Sequence, residues 1–112
     1  MEIQKEQVGE VCVVTVNGHL DGTHSTAFCN QVGELITGTN PKILVDFTGI
    51  DFITSAGLRA LLLLVKKADT SGSVFALCGV NDQVRQVFDT VGFTAMFSIH
   101  SGRSEGLAAL TA

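Results

Sequence analysis

Ile50-Asp51-Phe52-Ile53-Thr54-Ser55-Ala56-Gly57-Leu58 joins a short apolar run to a long helical pattern, and the fold is decided at that junction. On its N-terminal side, Lys42-Ile43-Leu44-Val45-Asp46-Phe47 is rich in β-branched residues and reads as a buried strand ending at Thr48-Gly49. On its C-terminal side, Leu58, Leu61, Leu62 and Val65 recur at helical spacing and form an inward stripe. Arg59, Lys66 and Lys67 lie away from that stripe, and Leu63 points between them. A polar turn, Asp69 through Ser73, ends the helix. Val74-Phe75-Ala76-Leu77-Cys78 then reads as another buried strand, closed by Gly79.

The pattern extends both ways. Upstream, Glu2–Gln7 and Val11-Cys12-Val13-Val14-Thr15-Val16 form a hairpin across Val8-Gly9-Glu10, and Asn17-Gly18 bounds the second strand. Asp21 to Thr26 offers several N-caps for a helix whose Phe28, Val32 and Leu35 share one face, and Gly38-Thr39-Asn40-Pro41 stops it. Downstream, Asn81 or Asp82 caps a short helix carrying Val84, Val87 and Phe88, and Gly92 stops that one. Met96-Phe97-Ser98-Ile99 reads as a last strand and Ser104 to Leu110 as a terminal helix. Strands alternating with helices after a hairpin predict an α/β domain. Its sheet is mostly parallel, with about five strands, an antiparallel pair at its start and about four helices. One domain spanning residues 1–112 accounts for the whole chain.

Composition narrows the function. Hydrophobic residues make up 46% and charged residues 16%, with mean hydropathy +0.38, so the chain supports a packed core. Seven Lys+Arg against eleven Asp+Glu give a net charge of −4 without a basic cluster. That balance is poor for nucleic acid or anionic membranes. With seven Phe and neither Trp nor Tyr, stacking platforms for bases are not expected. The longest apolar run, Ala60 to Val65, is far too short to span a bilayer, so no direct membrane insertion is expected. The N-terminus carries acids early and has no leader-like apolar stretch, which makes a cytoplasmic location the expectation. Cys12, Cys29 and Cys78, odd in number and widely spaced, read as reduced packing residues.

An enzyme finds little support. His19, His24 and His100 are not at metal-ligand spacing with one another or with the cysteines, so no metal site is expected. His19 and His24 read as loop residues facing solvent, and His100 as a residue at the edge of the last strand. Ser55 sits at a strand-to-helix turn, but Ile53 stands where the Gly-x-Ser-x-Gly nucleophile elbow has its first glycine. No phosphate-cradling glycine motif is present, which leaves no nucleotide cofactor to expect. Asp21, Asp46 and Asp51 fall near three strand ends and read as solvated acids without a partner base.

Two adjacent hydroxyls, Thr54 and Ser55, stand at the start of the long helix. One reading makes one of them an N-cap that accepts a bond from a first-turn amide, worth roughly 1 kcal/mol. The other makes the place a phosphorylation switch. A phosphate there adds about −1.5 to −2 charge, which a helix N-terminus tolerates and a docked partner does not. Ala56 and Gly57 keep the neighbouring surface small, so another protein can approach the hydroxyl closely.

Asp46-Phe47-Thr48-Gly49-Ile50-Asp51-Phe52-Ile53-Thr54-Ser55-Ala56-Gly57-Leu58-Arg59-Ala60-Leu61 resembles the signature of STAS domains, the group of bacterial anti-sigma factor antagonists. Gly18-His19-Leu20-Asp21 is similar to their loop after the second strand. Val91 to Ile99 is similar to their stretch leading into the final strand, and Gly106 to Leu110 to their last helix. The resemblance implies a partner-switching protein with no catalytic residues and no cofactor of its own. Unmodified, it binds an anti-sigma factor with serine kinase activity and so frees the sigma factor. The kinase, using its own ATP and Mg²⁺, phosphorylates the serine matching Ser55, and a serine phosphatase reverses this. Asp21, Thr54, Ser55, Ala56, Gly57, Arg59 and Leu63 are the partner-binding residues this implies. Many members carry an acid before the serine and a hydroxyl after it, where this chain has Thr54 and Ala56; that leaves Thr54 as a second phosphorylation candidate. Some STAS domains serve instead as subunits of stress-signalling or lipid-transport machinery, which is the alternative reading.

Overall fold

The structure is a computed structural model that describes residues 1–36 and 42–111. Its strands are β1 (Glu2–Val8), β2 (Val11–Leu20), β3 (Lys42–Ile53), β4 (Val74–Cys78) and β5 (Ser98–His100). Its helices are α1 (Ser25–Ile36), α2 (Ser55–Ser71), α3 (Asp82–Val91) and α4 (Arg103–Thr111), with a 3₁₀ turn at Thr94–Met96. The five strands form one sheet in the order β1-β2-β3-β4-β5; β1 and β2 are antiparallel and every other pair is parallel. This is the architecture expected from the alternation of patterns. The helix stop expected at Gly38-Thr39-Asn40-Pro41 lies outside the described residues.

Each strand's alternation sends its side chains to two different cores. Val14, Val16, Ile43, Val45, Phe47, Phe75 and Leu77 meet α1, α2 and α3 on one face. Val11, Val13, Leu44, Ala76 and Cys78 meet Leu110 of α4 on the other. Gly106 lets α4 lie close to the sheet, because a Cβ there would come within 2.8 Å of Leu44 Cδ1.

Three expectations are corrected. β3 does not end at Thr48-Gly49 but runs on to Ile53, pairing Asn17 with Gly49, Gly18 with Ile50 and Leu20 with Ile53. Register shifts between Thr15 and Asn17 and between Gly18 and Leu20 absorb the irregularity. The polar and glycine residues that read as strand ends are therefore at bulges. The inward stripe of α2 is Gly57, Leu58, Ala60, Leu61, Leu64 and Ala68, while Leu62 and Val65 are only half-buried. Small residues take the sheet-facing side and draw the helix close, so the stripe lies roughly a quarter turn from the expected one at 100° per residue. The last strand is Ser98–His100, because Thr94–Met96 coils before it.

Asp46 also differs from its expected role. It sits within β3 at 8% exposure, not at a solvated strand end. Its Oδ1 accepts from the Thr48 amide at 2.9 Å and the Thr48 hydroxyl at 2.5 Å, and its Oδ2 from Arg103 at 3.2 Å. Arg103 also donates to the Thr15 hydroxyl at 2.8 Å, which ties the first turn of α4 to β2 and β3. Burial pushes the Asp46 carboxyl up, but the Thr48 bonds and the Arg103 guanidinium outweigh it and hold the carboxyl below its usual value.

A group held down in this way stabilises the fold above its unfolded pKa, near about 3.9, and loses that contribution as pH falls through the folded value. Asp46→Asn is expected to cost about 1–3 kcal/mol at neutral pH, since it deprives Arg103 and Thr48 of a charged partner. In urea unfolding, the gap between parent and variant should close as pH drops below about 4. A gap that does not change with pH would contradict an ionised Asp46.

Candidate functional site

Because β2 and β3 are parallel and Leu20 pairs with Ile53, both strands end at the same rim of the sheet. The chain leaves that rim twice, through Asp21 into α1 and through Thr54 into α2. The Thr54 amide donates to the Leu20 carbonyl at 3.0 Å, and the Thr54 hydroxyl donates to the same oxygen at 3.4 Å. Thr54 is the N-cap by position, with extended backbone angles, but its side chain makes no capping bond. The expectation of a side-chain cap from Thr54 or Ser55 is thus not met: the Thr54 hydroxyl is committed to Leu20, and Ser55 is already the first helical residue. Ser55 is exposed, and its hydroxyl makes no hydrogen bond among the described residues.

Gly57 sets the height of the helix start. A Cβ at this position would lie 2.4 Å from the Leu20 carbonyl oxygen and 2.7 Å from Ile53 Cγ1. Gly57 is buried, so it positions Ser55 and Ala56 and presents no surface of its own. Asp21 secures the other exit. Its Oδ1 accepts from the Thr23 and His24 amides, both at 3.1 Å, and lies 2.9 Å from His24 Nδ1. Desolvation opposes ionisation of this carboxyl, but the bonds from His24 and Thr23 hold it below its usual value.

Arg59 and Leu63 lie one and two turns along α2 from Ser55, and both are exposed, Leu63 at 54%. They form one wall of a cleft of about 300 Å³ whose opposite wall is Ser25, Thr26, Cys29 and Asn30 of α1. Farther along, the same groove continues past Glu34 and Lys67. The structure thus brings Thr54, Ser55, Ala56, Arg59 and Leu63 to one surface, with Asp21 at its border.

Sequence reasoning missed the α1 wall altogether. Two parallel strands side by side, each followed by a helix, force those helices to start together, and that was the available signal. It also missed the pairing of His19 with Phe52. The two rings stack at 4.7 Å, His19 Nδ1 is 3.6 Å from Asp51, and Phe52 is 44% exposed. His19 therefore belongs to the end of β2 and not to a free loop.

No group of three or more His, Cys, Asp or Glu side chains among the described residues is arranged to hold a metal ion. His100 pairs in register with Cys78, whose side chain packs in the α4-side core, so the sheet separates it from Ser55. Cys12, Cys29 and Cys78 are free thiols. Burial, reinforced by the Asp46 carboxylate, pushes the Cys78 thiol up to about 11, leaving it protonated at neutral pH. No helix among the described residues is long and apolar enough to cross a membrane.

The family model for the STAS domain matches residues 2–106. The chain is 26% identical over 111 residues to an anti-sigma F factor antagonist of Paenibacillus polymyxa, covering 98% of this chain and 95% of that protein. Among solved structures, an anti-sigma factor antagonist from Mycobacterium paratuberculosis superimposes with a TM-score of 0.90 at 21% identity, covering 99% of this chain and 94% of that one. The Bacillus cell fate determinant SpoIIAA in its phosphorylated form superimposes with a TM-score of 0.73 at 20% identity, covering 96% and 98%.

The close approach at Gly57 makes a direct prediction. Gly57→Ala should destabilise the domain by about 1–3 kcal/mol, because the added methyl has only backbone and core to displace. Denaturant unfolding checks this, and an unchanged midpoint would show that the helix start is free to lift.

Proposed function

From membership of the STAS domain family, to which this chain belongs, we propose that it is an anti-sigma factor antagonist controlled by phosphorylation of Ser55. In the unmodified state the rim formed by Asp21, Thr54, Ser55, Ala56, Arg59 and Leu63 docks a cytoplasmic anti-sigma factor that is also a serine kinase. The sigma factor is thereby released. The kinase phosphorylates Ser55, the complex parts, and a serine phosphatase restores the unmodified form. The chain itself acts as a regulator and contributes no catalytic group.

The observation that carries this reading is the division of labour between two adjacent hydroxyls. Thr54 spends its hydroxyl on the Leu20 carbonyl, whereas Ser55 stands exposed on the first turn of a 17-residue helix. That favours Ser55 over Thr54 as the acceptor. A phosphate on Ser55 meets the unpaired first-turn amides and the positive end of the helix, which stabilise it by roughly 0.3–1 kcal/mol. The scaffold keeps its shape. A docked protein whose surface fits a neutral hydroxyl meets a dianion without a partner, and unpaired charge at an interface costs several kcal/mol.

Incubation with the cognate kinase and ATP is expected to add one phosphate, abolished in Ser55→Ala and retained in Thr54→Val. Phosphorylation that persists in Ser55→Ala moves the role to Thr54, and no phosphorylation by any native serine kinase favours the subunit of a larger complex. Ser55→Asp should weaken the partner complex by about 2 kcal/mol or more, with stability within about 0.5 kcal/mol of the parent. Leu63→Ala should likewise lower affinity and leave stability within about 0.5 kcal/mol. Calorimetric titration and thermal unfolding separate binding from folding, and a variant that loses stability instead would make its site structural.

A further inference from the structure

We propose that the cleft between the first turns of α1 and α2 binds a carboxylate carried on a short apolar chain, held by the Arg59 guanidinium and the Ser25 hydroxyl. Ser25 is 8% exposed, and its hydroxyl makes no hydrogen bond among the described residues. No buried side-chain oxygen or nitrogen among those residues is sealed off without a partner, so the Ser25 hydroxyl is not closed off, and Ser25 lines the cleft. A hydroxyl with so little exposure and no protein partner is available to a bound acceptor. Arg59, on the facing wall, has no carboxylate within ion-pair distance and no hydrogen bond among the described residues. A guanidinium presents a donor fork that matches a carboxylate.

The surroundings select the ligand further. α1 and α2, of 12 and 17 residues, both begin beside the cleft, so two positive helix ends flank it. Against them stands the Asp21 carboxylate, which precedes α1 and is occupied with Thr23 and His24. With one guanidinium as the only charged side chain in its lining, the cleft suits a single negative charge better than a phosphate dianion. Ala56, Ala60 and Leu63 make the remainder of the lining apolar, and about 300 Å³ is at the small end of ligand sites. A short-chain monocarboxylate fits both the charge and the space.

The same head group occurs on a free acid and on a glutamate side chain of a docked protein, and one titration distinguishes them. Amide and methyl NMR spectra of the full, unphosphorylated chain are followed with pentanoate, with its neutral counterpart pentanamide, and with N-acetyl-glutamate α-amide. Saturable shifts centred on Ser25, Ala56, Arg59 and Leu63 are expected with a carboxylate and about tenfold weaker with pentanamide. Stronger binding of pentanoate assigns the cleft to a free acid; stronger binding of the blocked glutamate assigns it to a protein side chain. Arg59→Gln, on an exposed position, should weaken binding about tenfold, and Ser25→Ala should weaken it several-fold. Non-saturating shifts, equal binding of pentanamide, or an Arg59→Gln variant that binds as the parent does would overturn the proposal. Phosphorylation of Ser55 plays no part in the titration, so its outcome stands apart from the switch.

Discussion

A single backbone oxygen, that of Leu20, organises this domain's rim. It receives the Thr54 amide and hydroxyl, and the first turn of α2 settles over it because Gly57 has no side chain to hold it away. Those contacts bind the end of β2 to the start of α2 across the β2–β3 pair. They also decide which hydroxyl faces outward. With Thr54 turned in toward Leu20, the next residue, Ser55, is left on the surface with the helix amides around it. Any lift or rotation of the first turn would change which hydroxyl is presented, so the chemistry of the rim depends on packing beneath it.

The rest of the fold keeps that rim uncluttered. α1, α2 and α3 cover one face of the sheet, and α4 covers the other. The ion pair between Arg103 and Asp46 anchors α4 to the opposite face from α2. The loop before α1 is braced by Asp21. The result is a surface with small residues at its centre, an arginine without an ion pair among the described residues and an exposed leucine along one helix, and a narrow cleft beside them.

Much of this was legible in the amino-acid order, and the parts that were not have definite causes. The alternation of apolar runs with helical stripes conveys the parallel sheet, and the segment through Ser55 conveys its place at a helix start. The extension of β3 was hidden because Thr48, Gly49 and Asp51 look like terminators, whereas pairing with an irregular β2 tolerates them. The face of α2 differs from the one hydrophobicity suggests, because hydrophobicity ranks leucine above glycine and alanine while close helix–sheet packing selects the smaller residues. Asp46 looked like a solvated acid because its partner, Arg103, lies 57 residues away. The fate of the Thr54 hydroxyl depends on a carbonyl 34 residues earlier, which no local pattern reveals.

Amide hydrogen exchange of the chain carrying a phosphate on Ser55, set beside the unmodified chain, tests most directly whether the added charge rests on an undisturbed scaffold. Matching protection is expected throughout β2, β3 and α2, with differences limited to the first turn of α2. Loss of protection along α2, or at the Thr54 amide that holds Leu20, would contradict it.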